Sequence, residues 1–350
     1  MKIALIAPPF IAVPPRKYGG TELFLADLAR GLKEKGIKVI LYANGASTAP
    51  VETRWIYETE QWPPSSEMET TLKGLVHSSW AVKDASGEAD IIHVNSATGL
   101  SFCNFVSTPL VYTVHHPFER PLTEFYQNFP QVSYVTISDF QLKQLPMPRI
   151  RTIHHGLDLD YCSPTGEKRE YLAFLGRIAP PKGTHLAVDI AKRAGIPLKI
   201  AGEIQPLYKS YWEEKVKPHV DGKFIQYVGE VGREEKEELL GNALAMLFPI
   251  QWNEPFGLVM IEAMACGTPV LALPGGSVEE IVREGVSGHV RRTVEELADC
   301  AKNLKLDPKT VREYSEENFS LERMVKDYIQ LYSELTSEFQ SKTPAERSVA

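Results

Sequence analysis

Two glutamates, Glu254 and Glu262, flank a predicted strand-to-helix turn in the second half of the chain. The apolar run at 243–248 before them predicts a buried parallel strand, and Pro255 and Gly257 mark the turn. Open α/β sheets bind their ligands at the edge where such turns lie. Free N–H groups at the beginning of the helix, aided by its dipole, attract an anion. The segment therefore suits a nucleotide sugar, with the diphosphate at the helix end and a carboxylate for sugar hydroxyls on either side.

The spacing of the two glutamates is weak evidence when taken alone. An ordinary strand, loop and helix with two solvated carboxylates is then the better interpretation. The N–H groups that would face an anion come from the turn and the first helical residues, which are Phe256, Gly257, Leu258 and Val259.

Two cations follow the strand predicted at 171–175, within the segment 176–183. Arg177 can bind a diphosphate as a planar fork, and Lys182 can act on it as a point charge. A solvated basic loop is the alternative. The Glu254 segment favours the diphosphate interpretation, because it supplies the other half of a binding site.

The first half of the chain begins with a predicted βαβ unit whose Gly19 and Gly20 lie at a helix N-terminus. Glycines there let a ligand approach the backbone, although they can also serve only to shape the turn. His115 follows the strand predicted at 110–114. Its imidazole can hydrogen-bond a sugar hydroxyl or polarise a reacting centre. A partly buried histidine bonded to backbone is the alternative.

Composition limits the classes of function. The 350 residues are enough for two domains, and the 43% hydrophobic and 24% charged content is ordinary for a globular protein. The net charge of −7 argues against nucleic acid as the main partner. Four scattered cysteines are interpreted as thiols in a reducing compartment. Because no apolar run is long enough to span a bilayer, we expect a cytoplasmic protein, with peripheral membrane contact left open.

Several segments resemble family 4 of the glycosyltransferases, whose members have the GT-B fold. They are the E-x7-E string at 254–262, G-R-x4-K-G at 176–183, T-x-H at 113–115, Gly-Gly-x-Glu at 19–22 and N-G-x-D at 155–158. Two positions depart from the family pattern. His155 stands where asparagine is usual, and Pro181 stands where a glutamate often precedes the lysine.

The resemblance implies an α/β protein of the GT-B class, with two Rossmann-like, doubly wound parallel-sheet domains facing a central cleft. The expected parts are an acceptor-side domain at 1–155, a linker at 156–165, a donor-side domain at 166–320, a helix crossing back at 321–339 and a tail at 340–350. The one Asp-x-Asp string, 158–160, falls in the linker and is interpreted as structural.

The implied reaction is the retaining, metal-independent transfer of a hexose from a nucleoside diphosphate sugar to an acceptor hydroxyl. UDP-glucose is the first candidate donor. The acceptor, whether a sugar, a lipid or a small molecule, is open, and no cofactor is expected. The implied catalytic residues are His115, Arg177, Lys182 and Glu254. The implied donor-binding residues are Gly19, Gly20, Val228, Gly229, Phe256, Gly257, Leu258, Val259 and Glu262.

Other classes remain as alternatives. A GT-B epimerase would convert the donor without an acceptor, and a non-catalytic protein would only bind the nucleotide sugar. A GT-B phosphorylase would need phosphate and pyridoxal phosphate. A dinucleotide oxidoreductase should carry G-x-G-x-x-G in its first turn, which this sequence lacks.

Overall fold

Each half of the chain is built on a parallel sheet whose strands are short apolar runs. The computed structural model describes residues 1–16, 19–158 and 170–341. It divides into two units, one formed by Met1–Gly156 with the chain from Leu321 onward, the other by Leu157–Ser320. The predicted linker at 156–165 and tail at 340–350 therefore lie largely outside the described residues.

The sheet of the first unit has the strand order β3-β2-β1-β4-β5-β6-β7. Its strands pair in parallel, as expected when helices or loops cross over between them. The strands are β1 (Lys2–Ile6), β2 (Lys38–Tyr42), β3 (Glu52–Arg54), β4 (Ile91–Val94), β5 (Leu110–Val114), β6 (Ser133–Thr136) and β7 (Ile150–Thr152). The helices before the second unit are α1 (Gly20–Glu34), α2 (Glu67–Ser86), α3 (Arg120–Tyr126) and α4 (Asp139–Leu142).

The sheet of the second unit has the order β10-β9-β8-β11-β12-β13. Its strands are β8 (Tyr171–Leu175), β9 (Leu198–Ala201), β10 (Ile225–Gly229), β11 (Ala243–Phe248), β12 (Val270–Ala272) and β13 (Gly288–Val290). Its helices are α5 (Thr184–Ala194), α6 (Lys209–Tyr211), α7 (Arg233–Gly241), α8 (Leu258–Ala265), α9 (Val278–Ile281), α10 (Val294–Lys302) and α11 (Pro308–Phe319).

The last helix, α12 (Leu321–Ser341), belongs to the first unit and packs on α1. Met324, Val325, Tyr328 and Leu331 recur at helical spacing on its buried side. Gly31 of α1 permits a close crossing, because a Cβ at that position would lie 2.4 Å from Val325 Cγ2.

A buried polar chain joins α12 to the sheet. The Nδ1 of His93 lies 2.7 Å from the Tyr332 hydroxyl, and its Nε2 lies 2.7 Å from Thr113 Oγ1. Thr113 in turn lies 2.9 Å from the Tyr328 hydroxyl. Each member has a partner, as buried polar groups require, so the network fixes the position of α12 on β4 and β5.

The first unit has two further local features. The segment Ala97–Phe105 is a 3₁₀ helix, and Gly99 packs within it against Val94. Strand β3 was not expected, because this short charged edge strand has no apolar alternation. Cys103 is buried and Cys300 is half-buried, and both are free thiols, as the sequence predicts. No helix among the described residues is both long and apolar enough to cross a membrane.

Candidate functional site

A buried ion pair lies at the carboxyl edge of the second sheet. Strands β8 and β11 are neighbours there, at the point where the strand order reverses. Lys182 follows β8, Glu254 follows β11, and Lys182 Nζ lies 2.5 Å from Glu254 Oε2. Their side chains are only 16% and 10% exposed. The sheet order thus brings together a cation and a carboxylate from two separate sequence strings.

Trp252 completes this pair. Its indole N–H donates to Glu254 Oε2 over 2.8 Å, and Lys182 Nζ lies 4.8 Å from the centre of its ring system. The indole therefore orients the carboxylate and also offers its π face to the ammonium group.

The loops that carry Lys182 and Glu254 are tied together by backbone contacts. Gln251 N–H donates to Pro181 O over 2.7 Å. Gly183 has a φ of 69°, and a Cβ there would lie 1.8 Å from Pro249 O. Only glycine fits this approach, which explains the glycine after the lysine in the sequence string.

A second glycine turn supports the Glu254 loop from the other side. A Cβ on Gly276, whose φ is 62°, would lie 2.1 Å from the carbonyl oxygen of Glu254. Ser277 N–H donates to that same oxygen over 3.0 Å, and Ser277 Oγ donates to Phe256 O over 2.8 Å. The turn at Gly276 therefore holds the backbone of Glu254 in place.

Glu262, the second glutamate of the string, lies on the short helix α8 that follows the Glu254 loop. Gly257, with a φ of 85°, precedes α8, whose first N–H groups have no acceptor within the helix. Leu258 and Val259 open the helix, and Glu262 lies one turn further on, 4% exposed. Its Oε1 lies 2.5 Å from Lys236 Nζ.

Lys236 lies in the charged run of α7. Such a run is typical of a solvated helix face. The lysine side chain is instead only 19% exposed and paired with a buried carboxylate. The pattern of charges along α7 gave no sign of this, because the contact depends on how α7 packs beside α8.

Three further predicted residues lie at the same edge of this sheet. Arg177 follows β8 and is half-buried. Val228 and Gly229 end β10, where the valine side chain is 44% exposed and the glycine has a φ of 84°. The structure thus gives this edge an exposed apolar group beside a turn.

In the first unit, Gly19 and Gly20 lie at the amino end of α1, as the sequence predicts. Gly19 has a φ of 149°, and a Cβ there would lie 2.9 Å from Glu22 Oε2. Burial raises the pKa of Glu22 to about 7, against the lowering effect of its own backbone N–H. A carboxyl group thus occupies the first turn of the helix.

His115 ends β5 and lies in a cluster of rings. Its ring is stacked on His155, with 5.8 Å between centres and an angle of 8°, and Phe24 lies 5.0 Å away. Its Nε2 lies 2.8 Å from Asn95 Oδ1. Burial, with a smaller effect from His116, lowers the pKa of His115 to about 3, so the ring is neutral at physiological pH.

Sequence reasoning missed four residues of these arrangements: Asn95, Lys236, Trp252 and Ser277. Asn95 and Trp252 carry one available signal, since each comes shortly after an apolar run that is typical of a strand. Lys236 and Ser277 carry none that separates them from surface residues of the same type.

The paired glutamates and the amino end of α8 can bind hydroxyl groups and phosphate. Buried glutamates accept hydrogen bonds from hydroxyl groups, and a helix amino end with nearby cations binds phosphate.

Two family models match the chain. The model for glycosyltransferase family 4 matches residues 18–161, and the model for glycosyl transferases group 1 matches residues 163–320.

The chain also resembles characterised proteins. It is 27% identical to the D-inositol 3-phosphate glycosyltransferase of Mycolicibacterium smegmatis over 216 residues, which cover 56% of this chain and 50% of that protein. It is 25% identical to the phosphatidyl-myo-inositol mannosyltransferase of Mycobacterium leprae over 321 residues, covering 83% of each chain. The chain thus matches about half the length of the first relative.

The structure of Anabaena HepE in complex with UDP-glucose is similar in fold. The TM-score is 0.74 at 18% identity, covering 95% of this chain and 100% of the Anabaena chain. This likeness shows the GT-B fold. The two family models confirm the resemblance stated from the sequence strings: the chain belongs to family 4 of the glycosyltransferases.

Proposed function

We propose that this glycosyltransferase moves a hexose from a UDP-sugar, with UDP-glucose as the first candidate, to an acceptor hydroxyl. We further propose that the product keeps the anomeric configuration of the donor and that no metal ion is needed. One observation carries the proposal: two buried, lysine-paired glutamates lie before and within α8, Glu254 with Lys182 and Glu262 with Lys236. The UDP-glucose complex of the similar Anabaena protein supports the choice of donor.

The donor diphosphate is assigned to the amino end of α8. Its charge is matched there by the N–H groups of Gly257, Leu258 and Val259, by the helix dipole and by Lys182 and Arg177. The ammonium group of Lys182 is held in place by its ion pair with Glu254. In the proposed complex this ammonium group contacts both the carboxylate and the donor phosphate. These charges do the work that a divalent cation does in other transferases.

The two carboxylates are assigned to hydroxyl groups. Glu262 accepts hydrogen bonds from the ribose, and Glu254 accepts one from the hexose. Val228 and Gly229 are assigned to the base, where the exposed valine offers an apolar surface. In the first unit, the roles proposed for His115 and for Gly19 with Gly20 are contacts with the hexose and the diphosphate.

The proposed step breaks the bond between the anomeric carbon and the diphosphate oxygen. The acceptor oxygen forms the new bond on the same face, and its proton passes to an oxygen of the departing diphosphate. Arg177 and Lys182 stabilise the negative charge that grows on this leaving group. A double displacement would need a carboxylate nucleophile on the opposite face of the sugar. The proposal instead gives Glu254 and Glu262 hydroxyl-binding roles.

The test is proton NMR of the first product formed from UDP-α-glucose and a panel of acceptors, read from the anomeric coupling. A retained α-linkage is expected, and an inverted linkage would overturn the mechanism. A parallel reaction in EDTA should proceed at the same rate. Loss of activity that Mg²⁺ or Mn²⁺ restores would refute metal independence. A reaction without acceptor identifies an epimerase, because the donor then changes with no UDP released.

Variants of the two cations separate binding from catalysis. Arg177→Met or Lys182→Met should lower kcat more than it weakens donor binding, because the charge they face grows towards the transition state. Weaker donor binding with unchanged kcat would mean that they act in the ground state only.

A further inference from the structure

The contact between Asn95 and His115 determines which nitrogen of the histidine can meet a ligand. Asn95 follows β4 and is 5% exposed, and His115 ends the neighbouring strand β5. The amide and the imidazole are joined by a contact of 2.8 Å between Asn95 Oδ1 and His115 Nε2.

The orientation of the Asn95 amide follows from its other partners. Its Nδ2 lies 3.3 Å from Ile6 O and 3.4 Å from His93 O. Both partners are carbonyl oxygens and can only accept, so they require the NH₂ group on that side. The amide oxygen therefore faces the histidine and can only accept a hydrogen bond from it.

The tautomer of His115 follows in turn. A neutral imidazole carries one proton, and an oxygen acceptor at Nε2 places the proton on that nitrogen. Nδ1 is then left as a hydrogen-bond acceptor. The low pKa of His115 agrees with a neutral ring.

We propose that Asn95 is a positioning residue that holds His115 as the Nε2–H tautomer, so that His115 Nδ1 accepts a hydrogen bond from a donor-sugar hydroxyl. The sugar part of this inference rests on the proposed function, whereas the tautomer does not. Within the family resemblance His115 lies against the sugar, and the contact with Asn95 adds the direction of the hydrogen bond and the residue that sets it.

The direct test is ¹⁵N NMR of the full-length protein labelled at its histidines, with the His115 signals assigned by their loss in His115→Gln. We expect a pyridine-type Nδ1 and a pyrrole-type Nε2 in the wild type. A protonated Nδ1, or an imidazolium ion at neutral pH, would overturn the proposal without any variant.

Asn95→Leu removes the acceptor at similar volume, and the His115 signals should then shift towards the Nδ1–H tautomer. The matched control is Asn44→Leu. Asn44 is also buried and follows the strand β2, and it bonds to Pro9 O rather than to a histidine. This control should leave the His115 tautomer unchanged. An unchanged tautomer in a folded Asn95→Leu variant would contradict the positioning role.

Kinetics with monodeoxy analogues of UDP-glucose test whether His115 Nδ1 accepts a hydrogen bond from a sugar hydroxyl. Asn95→Leu should lower kcat/KM for UDP-glucose by about tenfold, the value of one well-placed hydrogen bond. One of these analogues lacks the hydroxyl that His115 binds. With that analogue, the wild type and Asn95→Leu should have the same kcat/KM. If the spectra show the expected tautomer but no analogue removes the difference, the sugar assignment of His115 is wrong and the tautomer assignment stands.

Discussion

Lys182 and Glu254 are 72 positions apart in the sequence, and their charged groups meet at 2.5 Å in the fold. Each residue follows a different strand of the second sheet, and the adjacency of β8 and β11 brings them together. The pair is largely shielded from solvent, so neither partner can be removed without leaving a charge in a poorly solvated place. The two side chains should therefore behave as one unit in both stability and donor binding.

A double-mutant cycle measures the coupling energy between Lys182 and Glu254. Lys182→Met and Glu254→Gln should each destabilise the protein, and the double variant should lose less than the sum of the two. We expect a coupling of roughly 0.5–3 kcal/mol in the free energy of unfolding. Calorimetry of the four proteins gives the value. Additive losses would show that the ion pair contributes nothing beyond the separate side chains.

The turn at Gly276 should control the position of Glu254. Gly276→Ala would place a Cβ 2.1 Å from Glu254 O, so the loop must move, and kcat/KM should fall. Gly285→Ala is the matched control, because Gly285 has a similar φ of 70° and no atom within 4 Å of the added Cβ. Both variants carry the backbone strain of a positive φ, at about 1–2 kcal/mol.

Steady-state kinetics and thermal unfolding of both variants decide this prediction. A larger loss of kcat/KM in Gly276→Ala at comparable stability is the expected result. Equal kinetic losses in the two variants would mean that strain alone, and not the Glu254 loop, is responsible.

The sequence predicted most of the architecture because its information is local. Apolar runs of five and six residues marked the strands β8 and β11. The alternation of strands and helices then implied two parallel sheets, since parallel strands need crossover connections.

The contacts that complete the site were not predictable in the same way. Lys236 reaches Glu262 because α7 lies beside α8, and Asn95 reaches His115 because β4 pairs with β5. Such neighbours follow from strand order and helix packing, which one sequence does not contain. The short string at 254–262 identifies the two carboxylates. It does not identify Lys182 and Lys236, the lysines that pair with them.

Acid should destabilise the first unit through buried histidines. His77 on α2 is fully buried, and burial lowers its pKa to about 4, against the smaller raising effect of backbone groups at Tyr42 and Ala7. In the unfolded chain His77 has a pKa near 6.5. Between about pH 6.5 and pH 4 it is therefore protonated in the unfolded chain but neutral in the folded protein. Stability should therefore be complete above about pH 6.5 and fall as the pH drops towards 4.

His77→Leu tests this effect. The variant should lose less stability than the parent between pH 7.5 and pH 5, by up to about 2 kcal/mol from this one group. Thermal unfolding at the two pH values provides the comparison. Parallel losses in parent and variant would show that His77 does not take part in the acid response.

The central claim, that the lysine-paired glutamates at α8 form the nucleotide-sugar site, is tested most directly by titrating UDP into Glu262→Gln and the parent in a calorimeter. The matched control is Glu213→Gln, which breaks an exposed ion pair with Lys217 at 2.7 Å. A charged hydrogen bond is worth roughly 1.5–3 kcal/mol, so Glu262→Gln should weaken UDP binding by about tenfold or more, while the control binds like the parent. UDP affinity in Glu262→Gln equal to that of the parent would contradict the account.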